Sequence, residues 1–229
     1  MSITVADRFA AILFDFDGVL IESEYAGNLQ IAETLTRLGH PTTPQQSMTH
    51  FMGLAANEFL AAVEHWIGRP IPNAFYDDRE AENRRALSEG IDAVAGAIAF
   101  VDSLPANLPI AITSSSTTDW IRAHLAHIGL LDRFEGRIYS GREHVTRGKP
   151  APDLYLHAAA QLGVPIARCL IIEDSPVGAT GAVASGATVV GFCAGTHCPI
   201  DHADVLRAKG VQRIAADFGE VAAVLAGNT

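Results

Sequence analysis

Four short segments of the chain set reactive side chains against the ends of apolar runs. The first, Asp15-Phe16-Asp17-Gly18-Val19, directly follows Ala10-Ala11-Ile12-Leu13-Phe14. A turn at Gly18 lets both carboxylates approach one point beyond a strand end, in the crevice where open α/β sheets bind ligands. Two carboxylates so placed suit nucleophilic or acid–base work, although Asp and Gly also form plain turns. The second, Thr113-Ser114-Ser115-Ser116-Thr117, offers hydroxyls and backbone N–H groups between a strand and a helix. That is either a phosphate cradle or simple helix capping, and the segment alone favours capping. The third, Gly148-Lys149-Pro150-Ala151-Pro152-Asp153, holds one of only two lysines in the chain, the other being Lys209. A fixed ammonium there can neutralise a phosphoryl oxygen or a developing oxyanion, whereas a loop lysine is more often merely solvated. The fourth, Glu173-Asp174-Ser175-Pro176-Val177-Gly178, pairs two carboxylates ahead of a Pro-led helix. Such a pair suits Mg²⁺, and it equally suits the positive end of a helix dipole.

Each segment has a bland explanation. Their common setting does not, because all four fall at strand ends or in connecting loops. Strands are expected at the continuous apolar runs 10–14, 109–113, 169–172 and 187–192. Helical spacing over Trp120, Ala123, His124, Ala126, His127 and Ile128 ends at Gly129, and another helix runs from Pro152 to Leu162. This alternation predicts an α/β fold whose parallel sheet is covered on both faces. From about Leu20 to Asp92 no strand is expected. There Leu29, Ala32, Leu35 and Leu38 keep helical spacing up to Gly39, and further helices are expected over 55–66 and 74–87. Three or four helices in one block predict a small helical domain, residues 20–91, inserted into a core of residues 1–19 and 92–229. Its connections should lie near Val19–Glu22 and Gly90–Ala95.

The composition narrows the partners. Of 229 residues, 48% are hydrophobic and 18% charged, which supports a buried core and excludes a disordered chain. Asp and Glu number 26 against 16 Lys and Arg, a net charge of −10, so neither nucleic acid nor an anionic membrane is an expected partner. Cys169, Cys193 and Cys198 are an odd and sparse set, expected to be reduced thiols. Asp15 and Asp17 break the first apolar run, so no secretory leader or membrane span is expected and the location expected is cytoplasmic. Oligomeric expectations extend to a monomer or a homodimer.

The order Asp-x-Asp-Gly-Val, strand-Thr-Ser, Gly-Lys-Pro-x-Pro, Glu-Asp-Ser resembles the haloacid dehalogenase-like hydrolase superfamily, from Phe9 into the final helices. Within it the chain is similar to the sugar phosphatase and β-phosphoglucomutase branch, whose helical cap follows the first strand. The resemblance implies a Rossmann-like core with a site under a mobile cap, and a small phosphate ester as substrate. It implies Asp15 as a nucleophile forming an aspartyl-phosphate, and Asp17 as the acid and base that serves the leaving oxygen and the hydrolytic water. It implies Ser114 and Lys149 as phosphoryl-binding groups. Mg²⁺ would be held by Asp15, the backbone carbonyl of Asp17 and Asp174, with Glu173 as a ligand or as support behind them.

Other branches fit less well. The dehalogenases lack the second aspartate, which is present here as Asp17, and the Schiff-base phosphonatases need a cap lysine, whereas no lysine precedes Lys149. The mutase is the stronger alternative, but its cap His and Arg fall, without gaps, on Gly27 and Ala56. Phosphoglycolate hydrolysis is a further alternative among the phosphatases, and a non-catalytic binding module is disfavoured by the intact set of side chains. The family often has Asp where Glu22 stands. Cys193, His197, Cys198 and His202 match no common zinc spacing and are expected in a loop near the site mouth, with no histidine expected as a base beside the four motifs. In the insert, Glu24, Asn28, Asn57, Arg84 and Arg85 either read the substrate or form solvated helix faces.

Overall fold

The computed structural model describes residues 8–52, 54 and 56–227. Its centre is a six-stranded parallel sheet of β1 (Ala11–Phe14), β2 (Ile110–Ser114), β3 (Ile138–Ser140), β4 (Cys169–Glu173), β5 (Thr188–Phe192) and β6 (Arg213–Ala215), in the order β3-β2-β1-β4-β5-β6. β1, β2 and β4 are buried along their whole length. Alternation along β1 explains why the run is apolar throughout. Ile12 and Phe14 face one helical layer, of α5 (Ala97–Ser103), α6 (Thr118–His127), α7 (Leu131–Phe134) and α11 (Phe218–Ala226). Ala11 and Leu13 face the other, of α8 (Asp153–Gln161), α9 (Pro176–Ala184) and α10 (His202–Ala208). This is the Rossmann-like arrangement expected. The edge strands β3 and β6 are three residues each, too short to leave a periodic signal. No helix among the described residues is long and apolar enough to cross a membrane.

The strand order decides where a ligand can enter. The chain leaves β1 for β2 and β3 on one side, then returns to β4 on the other, and the crossovers part at β1. The crevice beyond the carboxyl ends of β1 and β4 is therefore the open position of the sheet. All four motifs end there or in the adjoining loops.

Between β1 and α5 lie four helices: α1 (Ser23–Arg37), α2 (Pro44–Phe51), α3 (Ala56–Ile67) and α4 (Asn73–Glu89). α2 starts at a reciprocal cap, with Thr43 accepting from the Gln46 N–H and Gln46 from the Thr43 N–H. These helices bury their own cluster, Ile31, Leu35, Phe51, Val63, Ile67 and Phe75, distinct from the two clusters against the sheet. Two connections join them to the sheet, and the connections pair with each other. Glu22 N–H donates to the Asp92 carbonyl at 3.0 Å and Val94 N–H to the Leu20 carbonyl at 3.0 Å. Phe75 is completely buried at the centre of the insert's cluster, with its ring 6.3 Å from Phe59 and 5.9 Å from Tyr76. Phe75→Ala should lower stability by about 3–5 kcal/mol, read from urea unfolding, through lost burial and the cavity left behind.

Candidate active site

Asp15 follows β1, Ser114 ends β2, Glu173 ends β4 and Asp174 follows it, so three neighbouring strands deliver their side chains to one crevice. Lys149 reaches the same point from the loop before α8. Its side chain is 3% exposed, and its ammonium donates to Asp15 Oδ1 at 2.7 Å and also to Glu173 Oε1. Glu173 is held on every side. Its Oε1 also accepts from the Tyr155 hydroxyl at 2.9 Å, while its Oε2 accepts from the Ser175 N–H at 2.9 Å and the Ser175 hydroxyl at 3.0 Å. Asp174 is different. Its Oδ2 meets His197 Nε2 at 2.8 Å, but its Oδ1 is buried without a hydrogen-bond partner among the described residues.

Ligand atoms of Asp15, Glu173 and Asp174 lie within 4.8 Å of one another in a nearly solvent-free pocket. Burial, then the charge of Glu173, pushes Asp15 well above the usual carboxylate range, although Lys149 pulls the other way. Asp174 is raised in the same manner, by burial first and then by Glu173 and Glu24. Burial works against the Lys149 ammonium, but Asp15 and Glu173 outweigh it and hold this lysine firmly charged. One ammonium therefore faces three carboxylates. Oxygen donors at this spacing, one of them an orphaned carboxylate oxygen, fit a hard divalent cation.

Asp17 is turned toward a different set of groups. Its Oδ1 accepts from the Ser23 hydroxyl at 2.7 Å and from Trp120 Nε1 at 3.2 Å. Its Oδ2 accepts from the Ser116 hydroxyl at 2.6 Å and the Ser114 hydroxyl at 3.2 Å. Directly after Asp17 the backbone turns at Gly18, whose φ is +80°. A Cβ on Gly18 would lie 2.1 Å from Asp174 Oδ2, so glycine is required here by contact as well as by conformation.

The six expected site residues, Asp15, Asp17, Ser114, Lys149, Glu173 and Asp174, thus occupy one crevice. No histidine is expected as a base beside the motifs, yet two histidines do contact one of them. His197, from the loop after β5, and His202, the first residue of α10, both reach Asp174, because that segment folds back over the sheet's open end. Glu22 joins the same loop by accepting from the Thr196 N–H at 3.0 Å and the Thr196 hydroxyl at 2.7 Å. Sequence reasoning also missed Ser23, Ser116, Trp120 and Tyr155. Ser116 belongs to the serine run and was visible as a candidate, whereas nothing in the sequence separates Trp120 or Tyr155 from ordinary core aromatics.

The candidates in the insert divide sharply. Asn28 is buried and joins α1 to α2, accepting from the Ser47 hydroxyl and donating to the Glu24 carbonyl. Arg84 pairs with Glu80, and Arg85 with Glu82 and Glu89, along the exposed face of α4. The Asn57 side chain lies outside the described residues. Among the described candidates, Glu24 is the one close enough to Asp17, His197 and Glu173 to feel their charges. Replacing Lys149 should expose how much the carboxylates depend on it. Lys149→Met should cost about 3–5 kcal/mol of stability in chelator-treated protein, measured by urea unfolding, because it leaves buried carboxylates without a counter-charge.

Comparison with known proteins agrees with this geometry. Residues 12–192 match the haloacid dehalogenase-like hydrolase family. The 6-phosphogluconate phosphatase of Escherichia coli is 28% identical over 201 residues, covering 86% of this chain and 89% of that one. Hexitol phosphatase A of the same organism is 30% identical over 195 residues, 84% of this chain and 87% of its own. The crystal structure of a haloacid dehalogenase family hydrolase from Deinococcus radiodurans, with bound phosphate and sodium, superposes with a TM-score of 0.85 at 34% identity over 96% of each chain. With its family match running from β1 through β5 and its motifs converging at the switch of strand order, the chain belongs to the haloacid dehalogenase-like hydrolases, within their phosphatase branch.

Proposed function

We propose that this chain is a Mg²⁺-dependent phosphatase that hydrolyses a small phosphorylated sugar or sugar acid through a phosphoenzyme on Asp15. The observation that carries this reading is the buried crevice that gathers Asp15, Glu173 and Asp174, with Lys149 bound to the first two. The names of the relatives support the substrate class. Asp15 and Asp174 would hold the cation with the backbone carbonyl of Asp17. Both oxygens of Glu173 already accept hydrogen bonds, so its part is to hold Lys149 and Tyr155 in place. The bound cation would supply positive charge to the phosphoryl oxygens.

Asp15 attacks phosphorus as the bond to the sugar oxygen breaks, and Asp17 delivers a proton to that oxygen. Water then attacks the aspartyl-phosphate, Asp17 takes its proton, and inorganic phosphate leaves. Lys149 stays charged throughout, fixing the Asp15 carboxylate and balancing the phosphoryl charge, while Ser114 donates to a phosphoryl oxygen. Asp17 can do this only by exchanging its present donors for the substrate. One of those donors, Ser23, opens the first helix of the insert, so motion of the insert reaches the acid–base group directly. Residues 20–91 act in this reading as a cap that closes over the crevice and excludes water. Gly27 supplies no imidazole where the mutases have one, which favours hydrolysis over transfer.

Chelation should abolish phosphatase activity, and Mg²⁺ should restore it. Asp15→Asn should remain folded by circular dichroism yet lose turnover to background. Wild-type turnover by that variant would overturn the covalent mechanism.

Glu24 is the residue of the insert best placed to read the substrate. It lies half-buried in the first turn of α1, and its carboxyl takes no hydrogen bond among the described residues. Burial raises its pKa, and the charge of Asp17 raises it further. An unengaged carboxyl at the site mouth suits a sugar hydroxyl. Glu24→Gln should reduce kcat/KM for phosphorylated sugars by about 1.5–3 kcal/mol, roughly 10- to 100-fold, and leave p-nitrophenyl phosphate hydrolysis nearly unchanged.

A further inference from the structure

We infer that the loop after β5 and the first residue of α10 form a positioning device for Asp174, with His197 orienting its carboxylate and His202 anchoring its backbone, and that this device sets the affinity of the acidic crevice for its divalent cation. The inference rests on the reading of Asp174 as a metal ligand. A carboxylate on a short stem can rotate, and it serves a cation only when one oxygen is aimed at it. Here His197 Nε2 engages Asp174 Oδ2 at 2.8 Å, both side chains being 2% exposed. Oδ1 is thereby left buried, without a protein partner, and free to coordinate. His202, at the start of α10, meets the Asp174 carbonyl through its own Nε2 at 2.6 Å. Side chain and main chain of one residue are thus gripped by two rings, one from the loop and one from the helix that follows it.

The His197 ring is itself confined. A Cβ on Gly195 would lie 2.4 Å from its Cε1, and a Cβ on Gly18 would lie 2.8 Å from the same atom. Both glycines make the slot into which the ring fits, and one of them belongs to the first catalytic motif. The loop is also tied down by the Thr196 bonds to Glu22, so the slot does not depend on His197 alone. His197 Nδ1 has no partner, as expected if the ring proton sits on Nε2 and is donated to Asp174. Hydrogen-bonded partners behind a ligand commonly change metal affinity by about 10- to 100-fold when removed.

One other arrangement uses the same residues. Donor atoms of His197, Cys198 and His202 also lie within 4.8 Å of one another, with Cys198 Sγ 3.4 Å from His197 Nε2. Because the Nε2 atoms of both histidines face Asp174, the positioning role accounts for the contacts, and the alternative becomes an outcome of the test. Mn²⁺ binding to the full chain, followed by electron paramagnetic resonance, separates them. His197→Ala should weaken Mn²⁺ binding about 10- to 100-fold, and turnover should recover at saturating metal. His197→Gln, whose amide N–H can reach the same oxygen, should regain most of the affinity, and it decides the matter if the alanine variant does not fold. Cys198→Ala should bind Mn²⁺ as the wild type does. Unchanged binding in both His197 variants overturns the inference. So does metal binding that is lost in Cys198→Ala, which would make the cluster itself the metal site. If instead Mn²⁺ binding to the wild type is indifferent to Asp174→Asn, the reading of Asp174 as a ligand has failed rather than the role of His197.

Discussion

A single buried charge imbalance organises the functional half of this molecule. Asp15, Glu173 and Asp174 stand within reach of one another, nearly out of contact with water, and Lys149 is the ammonium among them. Removing ions from water costs several kcal/mol apiece unless partners compensate. The structure meets that cost unevenly. Glu173 is fully engaged by Lys149, Tyr155 and Ser175, Asp15 is engaged by Lys149, and Asp174 keeps one bare oxygen. On the proposed reading this incomplete compensation is what makes the crevice receptive, since a divalent cation would supply the positive charge that Lys149 alone does not. Phosphoryl transfer asks mainly for position and charge, and both are present before any ligand arrives.

The same crevice joins the insert to the chemistry. Asp17 is shared among Ser114 and Ser116 from the β2 end, Trp120 from α6 and Ser23 from α1. Three of these donors belong to the sheet side and one to the insert. The paired connections at Leu20–Glu22 and Asp92–Val94 lie only a few residues from Asp17. On the proposed reading, opening and closing of the insert and readiness of the acid–base group are one event. Glu22 extends this link to the loop after β5. Its extra methylene relative to the Asp common at that place in the family lengthens its reach toward Thr196.

Much of this was legible in the residues themselves. The buried strands showed as unbroken apolar runs because both sheet faces are covered, and alternation would have appeared only with one face in water. Three of the insert's four helices showed by their spacing, whereas the eight-residue α2 did not. The motif residues Asp15, Lys149, Glu173 and Asp174 showed because charged side chains bordering buried strands have no bland role in such numbers. The strands β3 and β6 did not, since three residues carry no period. Asn28, Arg84 and Arg85 were ambiguous for a different reason. A polar side chain on a helix has the same sequence signature whether it faces a substrate, a neighbouring helix or water, and here the last two apply.

By itself the sequence determined which chemistry was available: local order places carboxylates, hydroxyls and one lysine at the ends of strands that must pair in parallel. What only the tertiary structure decided is which groups share that chemistry across distance. Tyr155 behind Glu173, Trp120 on Asp17, and His197 and His202 on Asp174 come from segments whose own patterns are those of core or loop. Backbone periodicity and turn preferences act over a few residues, so they register in any short window. A hydrogen bond between residues 97 to 134 positions apart, such as Ser114 to Asp17 or Lys149 to Asp15, exists only once the sheet has closed the distance.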